Sequence, residues 1–310
     1  MRKIIFATFF VMLSHQIYSQ ESQTDYNFLR LPVSAHAAAL GGDNITIIED
    51  DPTLIFNNPA LASSVSDKTI NLNYMAYMEG TKTASASYIM AIKERGTLGL
   101  SAQYMDYGDI KEVTENNVET GTFSATDISL AGTFAYELGK HLVGGVTTKF
   151  ITSHIAGYNS IAMGVDIGIN YYNEKNMLSI SAVARNLGGQ LKAYNDEYEN
   201  IPFDLQAGVT KKLANAPFRF SFTVVDLTHW DVSFINHCVF GADIILSKTV
   251  YLAAGYNPRR NNEMKIEDSS HGAGWSFGGG LQLERFKLQI SYGKYHLSSS
   301  SLLFNFSYNI

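Results

Sequence analysis

Gly274-Trp275-Ser276-Phe277-Gly278 spells the Gly-x-Ser-x-Gly pattern of a nucleophile elbow. That chemistry needs the serine on a sharp turn between a strand and a helix. Here the pattern lies inside an alternating run, with Trp275, Phe277, Gly279 and Leu281 on one face, so it reads as a strand with small residues on its other face. The eight histidines, one of them among the first 19 residues, show no metal-ligand spacing. The acidic run Asp196, Glu197 and Glu199 lacks the spacing of a calcium loop and reads as solvated. Asp43, Glu49, Asp50 and Asp51 suit the capping of backbone amides better than metal binding. No catalytic constellation emerges, so no enzymatic activity, cofactor or metal is expected.

Three charges stand apart. Lys149, Asp166 and Arg185 fall on the polar parity of three successive strand-like segments, six to eight residues from a segment end. Charges so far from the ends need partners, because burying an isolated one is costly. They are read as a charge cluster inside a barrel, placed to grip whatever fills it.

The elements that must position them are strands. In the last ten residues, Leu302, Phe304, Phe306, Tyr308 and Ile310 share one parity. Ser301, Asn305, Ser307 and Asn309 share the other, with Leu303 the exception. Period two means one apolar and one polar face. About fourteen such segments recur from residue 69 onward. Tight turns at 94–96, 138–140, 173–176, 215–217, 247–248 and 284–285 alternate mostly with long connections at 108–123, 186–203, 226–237 and 258–272. That alternation is the sidedness of an outer-membrane barrel, with periplasmic turns and extracellular loops. No run of 18 apolar residues follows the N-terminus, yet 12% of residues are aromatic and only 17% charged, which fits hydrophobicity spread over alternate residues.

Before the strands lies SAHAAALGGDNITIIEDDPTLIFNNPALA, residues 34–62. Ser34 is a good N-cap for a run over 35–40, which Gly41 stops. Asp51 caps a second run with Pro52 at its first position, and Pro59 ends it. Each run is too short to be helical alone, since isolated helices need roughly 12–15 residues. They require an enclosing wall, so residues 20–68 are expected to form a plug inside an all-β barrel of residues 69–310. With an even strand count, both barrel ends lie on the short-turn side, and the plug is expected to start at the periplasmic mouth.

Residues 1–19 read as a cleaved signal peptide, with Arg2 and Lys3, an apolar run over 4–13, and a cleavage point near Ser19–Gln20. Its removal takes two of the 23 Lys+Arg, leaving 21 against 29 Asp+Glu, a net charge of −8 that argues against a nucleic-acid surface. The lone Cys238 forms no internal disulfide.

The segment GGDNITIIEDDPTLIFNNPALA resembles the N-terminal motif of the FadL-like outer-membrane barrels. It carries Gly41 and Gly42, a short apolar stretch, Asp51 and Pro52, then Asn57, Asn58, Pro59 and Ala60. Within that superfamily it is similar to the PorQ/PorV group of the type IX secretion system of Bacteroidetes. Its length, the YNFLRLP opening and the SAHAAALGG spelling favour the PorQ type over the longer PorV type. The resemblance implies a transmembrane antiparallel β-barrel of about 14 strands with a short N-terminal helical plug in the lumen. It also implies a non-enzymatic outer-membrane component of a cell-surface attachment complex with PorU and PorV, anchoring a PorZ-like partner among outer-membrane lipid and lipopolysaccharide. The alternative it leaves is a FadL-type channel for hydrophobic small molecules.

Overall fold

The computed structural model describes residues 24–310 except 79, 117, 196, 231, 266–271 and 298. The expected signal peptide, residues 1–19, and Asp196 of the acidic run lie outside the described residues. The alternating segments form fourteen strands: β1 (Thr69–Met78), β2 (Thr81–Ile92), β3 (Gly96–Val113), β4 (Glu119–Gly139), β5 (Leu142–Ile155), β6 (Tyr158–Asn173) and β7 (Leu178–Lys192), then β8 (Asp204–Lys212), β9 (Phe218–Val224), β10 (Cys238–Ile245), β11 (Val250–Tyr256), β12 (Trp275–Gln282), β13 (Phe286–Gly293) and β14 (Ser301–Asn309). Each pairs antiparallel with its chain neighbours, and β1 pairs with β14 from Thr69↔Asn309 to Ala76↔Leu302. The fold is a closed, fourteen-stranded antiparallel β-barrel. Closure leaves no unpaired sheet edge.

The two faces of the wall follow from period two. Leu72, Leu100, Leu130, Phe220, Leu252 and Phe304 point outward and are exposed. Asn71, Ser87, Gln103, Thr133, Asn170 and Asn305 point inward and are buried. Apolar outside and polar inside is the reverse of a water-soluble domain and suits a hydrocarbon surround.

Two glycine- or asparagine-marked breaks read as loop starts are bulges instead. Gly108, at φ 73°, is skipped in the β3–β4 ladder, and pairing resumes at Asp109↔Ser124. The expected connection 108–123 is therefore mostly strand, with its turn at 114–118. Asn186, at φ 56°, sits in a second bulge, so β7 continues to Lys192. A left-handed residue lets the strand absorb an extra position and go on. Between β11 and β12 the expected loop holds a short helix, Pro258–Glu263.

The lumen is filled by the N-terminal segment. Asp25 donates its amide to Asn200 O in the long β7–β8 connection, and Thr24 bridges the same residue. At the other end Lys68 accepts from the Ile310 amide, on the short-turn side. From Thr24 onward the segment thus runs from the long-connection mouth through the full lumen, contrary to the expected start at the periplasmic mouth. An even strand count places the ends of the barrel, but not the course of a segment threaded through it.

Along its path, α1 (Ala35–Ala39) begins at Ser34, whose hydroxyl accepts from Ala37 N at 3.2 Å. Two 3-10 turns follow, Pro52–Phe56 and Pro59–Ser64. Pro59 therefore opens a second turn instead of only ending the first, because Asn58 caps it and a proline suits a first helical position. Leu40, Ile47, Leu54 and Leu61 pack against Tyr251 and Ala253. Leu303, the apolar exception on the polar parity of β14, packs inward against Ala35 and Ala38.

The plug and its charged seat

The motif residues sit where the wall has been cut back to receive them. A Cβ on Gly145 of β5 would lie 2.5 Å from the Pro59 carbonyl carbon and the Ala60 amide, and one on Gly168 of β6 would collide with Asn58. Gly41, at φ 109°, lies against Gly255 of β11, which has no room for a side chain. Gly42 follows it at φ 110°, closing α1 with its amide on Ala37 O at 2.9 Å.

The polar members tie the segment to itself and to the wall. Asp51 accepts from Thr53 N at 3.0 Å and from Thr53 Oγ1 at 2.6 Å, while Gln289 of β13 donates to its other oxygen at 2.9 Å. Asn58 accepts from Ala60 N at 2.9 Å and donates to Ile45 O at 3.0 Å. The Asn57 and Asn58 amides both close turns onto Leu54 O. Asp50 caps Ser66 N at 2.8 Å.

Glu49 and Asp43 do not cap amides. Glu49 receives three cationic donors: His36 Nδ1 at 3.0 Å, Arg219 Nη2 at 2.7 Å and Lys287 Nζ at 3.1 Å. His36 also donates through Nε2 to Asp243 at 2.7 Å, and Arg219 Nε donates to the same carboxylate at 2.7 Å. The imidazole stacks on Tyr251, with ring centroids 4.0 Å apart. Two plug residues are thus locked to β9, β10, β11 and β13 by one buried network. Burial pushes the His36 imidazolium down, but the Glu49 and Asp243 carboxylates outweigh it and raise its pKa to about 9. Burial pushes the Glu49 carboxyl up, and His36, Lys287 and Arg219 outweigh that, holding it well below the usual range.

His36, Glu49 and Asp51 place ligand-type atoms within 4.8 Å of one another. The Lys287 ammonium stands 3.1 Å from Glu49 and 3.8 Å from Asp51, and Arg219 faces them too. Side-chain cations already supply the charge that a metal would bring.

Lys149, Asp166 and Arg185 line one small cavity beside the plug. Lys149 Nζ lies 2.7 Å from Asp166 Oδ2 and donates to Asn186 Oδ1 at 2.7 Å. Asp166 accepts the Asn186 amide at 2.7 Å, which satisfies the bulge in β7. Arg185 reaches the plug, donating to Leu29 O at 3.2 Å and standing 3.7 Å from Asp43. The cavity holds about 30 Å³, space for a few waters and no solute. Ser276 of the elbow-like pattern points inward and donates to Ala39 O at 3.1 Å, inside a strand and with no base beside it among the described residues.

The His36 network was missed by the sequence reading. Its wall members, Arg219, Asp243 and Lys287, fall on the polar parity of their strands, the same signal that singled out Lys149, Asp166 and Arg185.

No protein-family model matches the chain, and no curated protein matches it. Solved structures do share its fold. The toluene transporter TodX of Pseudomonas putida superposes with a TM-score of 0.59 at 14% identity, covering 89% of this chain and 97% of that one. The Ralstonia pickettii toluene transporter TbuX gives 0.57 at 10% identity, over 90% and 98%. A Pseudomonas aeruginosa FadL homologue gives 0.54 at 10% identity, over 89% and 97%. At these identities the likeness is one of fold, that of the FadL-like barrels.

Proposed function

We propose that the chain is a non-enzymatic outer-membrane barrel of the PorQ/PorV kind. In this reading it anchors a PorZ-like surface protein, with PorU and PorV in the same attachment complex of a type IX secretion system. The observation that carries this reading is the closed lumen. The chain's own N-terminal segment fills it, buried charges lock it, and the cavity inside it beside Lys149, Asp166 and Arg185 is only about 30 Å³, the larger spaces of about 160 and 530 Å³ lying at the two mouths. A barrel so filled works through its exposed connections, since loops on a rigid scaffold carry recognition. The spelling of residues 34–62 supports the same reading. The test is affinity capture from native outer membrane. Recovery of a large surface protein that is lost when the 193–203 or 114–118 connection is shortened supports it; recovery of the barrel alone sinks it.

A second reading has its own support, and the comparisons lean toward it. Structures of like fold are toluene transporters and a FadL homologue. Near the long-connection mouth, Tyr26, Phe28 and Leu29 occupy an apolar chamber walled by Met105, Ile151, Ala162 and Ile201. If the strap left, that chamber would suit a hydrophobic small molecule. Uptake of a monoaromatic hydrocarbon into proteoliposomes by the intact protein, with no partner captured, would decide for the channel.

A further inference from the structure

The barrel wall is uneven in height. β3 and β4 have 18 and 21 residues, whereas β9 to β13 have seven or eight. A spanning strand needs about 9–11 residues, so on the low side something beyond the strand ends must meet the bilayer. The connection 225–237 stands there. Cys238 lies on the outward parity of β10 with Phe240 and Ile244, yet it is 1% exposed, and its thiol donates to Phe234 O at 3.4 Å. The connection therefore folds back over the outer face of the wall.

Its described outer surface is mainly apolar, with Ser233 also exposed. Trp230, Val232, Phe234 and Ile235 are all exposed, and the Trp230 and Phe234 rings stack at 6.3 Å, 4° from parallel. The surface continues a row of outward aromatics. Phe240, Tyr256 and Trp275 are register partners across β10, β11 and β12, three residues past the end of the connection along β10. Among the described residues, Arg259 spans Asp226 at 2.8 Å and Glu263 at 2.6 Å, and all three line the mouth of the lumen. Its backbone is tied down too, through Val225 N on His237 O at 2.9 Å and Leu227 N on Leu205 O at 3.0 Å. Exposed aromatics beside a paired charge cluster and a backbone tied to the wall suit the lipid–water interface.

We infer that the connection 225–237 is an interfacial anchor, its Trp230–Phe234 face seated in the outer leaflet to complete the apolar belt where the strands fall short. This rests on the membrane reading of the barrel, and the test separates the two. The chain has two tryptophans, Trp230 and Trp275. Single-tryptophan proteins, Trp275→Phe and Trp230→Phe, are reconstituted in phosphatidylcholine vesicles with and without brominated acyl chains and titrated with aqueous iodide. The inference expects both to lose comparable emission to brominated lipid and to resist iodide. Trp275 quenched by lipid while Trp230 is quenched only by iodide overturns it and points to a water-facing or protein-docking loop. Neither quenched by lipid overturns the membrane reading itself.

Discussion

Nε2 of His36, on the plug, lies 2.7 Å from Oδ1 of Asp243, on the wall. The charge on His36 therefore reports whether the plug is seated. Its pKa is raised from 6.5 to about 9. A raised pKa contributes stability that is fully present below about 6.5 and lost as the pH climbs through about 9, in all on the order of 3 kcal/mol. Glu49 has the opposite sign: its lowered pKa contributes stability present above 4.5 and lost on acidification. Hydrogen exchange over 35–62, corrected for its intrinsic pH dependence, should be slowest between these limits and speed up from pH 6.5 to 9. His36→Gln should abolish the alkaline limb; an unchanged profile would refute the linkage.

Removing one partner of the other buried pair should cost more than removing both. Asp166→Ala leaves the Lys149 ammonium buried without its carboxylate and frees the Asn186 amide, a loss of about 3–5 kcal/mol. Adding Lys149→Met should recover part of it. Thermal unfolding in detergent reads both, and a double variant no better than the single would contradict the pairing.

The seat for the Asn-Pro-Ala motif is steric. Gly168→Ala sets a methyl group against Asn58, so plug or wall must shift, at roughly 1–3 kcal/mol. Asn58→Ala loses the cap on Ala60 and should cost about 0.5–2 kcal/mol. Combined with Gly168→Ala it also makes room, so the double variant should be less damaged than the sum of the singles. Strict additivity, measured by unfolding midpoints, would place Asn58 elsewhere.

The barrel could be read from the chain because period two survives in nearly every strand. Phe286, Leu288, Ile290 and Tyr292 face out against Lys287, Gln289 and Ser291, and a one-residue slip would reverse both faces. The plug's short helical pieces were readable from caps and prolines. The seat was not, because a parity pattern places Arg219, Asp243 and Lys287 inside without saying what they meet there. Glu49 could have capped an amide as well as paired with a cation, since both uses need the same carboxylate beside a turn. Gly108 and Asn186 misled for a related reason: a left-handed residue serves a bulge as well as a loop.

The strap near the long-connection mouth offers the last test. Phe28 is 1% exposed and packs with Tyr26, Leu29, Met105, Ile151 and Ile201, while its carbonyl accepts from Gln103 Nε2 at 3.2 Å. Truncating it leaves that backbone bond in place and empties a ring-sized volume among apolar neighbours. Phe28→Ala should therefore cost about 3–5 kcal/mol if the strap cannot collapse into the space. An apolar void of that size stays dry and can take a small aromatic molecule, so benzene should raise the unfolding midpoint of Phe28→Ala and leave the wild type unmoved. A wild type that responds to benzene as strongly as the variant would mean that the strap already leaves the chamber in solution, and would shift the balance to the channel reading. A variant as stable as the wild type, and indifferent to benzene, would mean that the strap does not pack there at all.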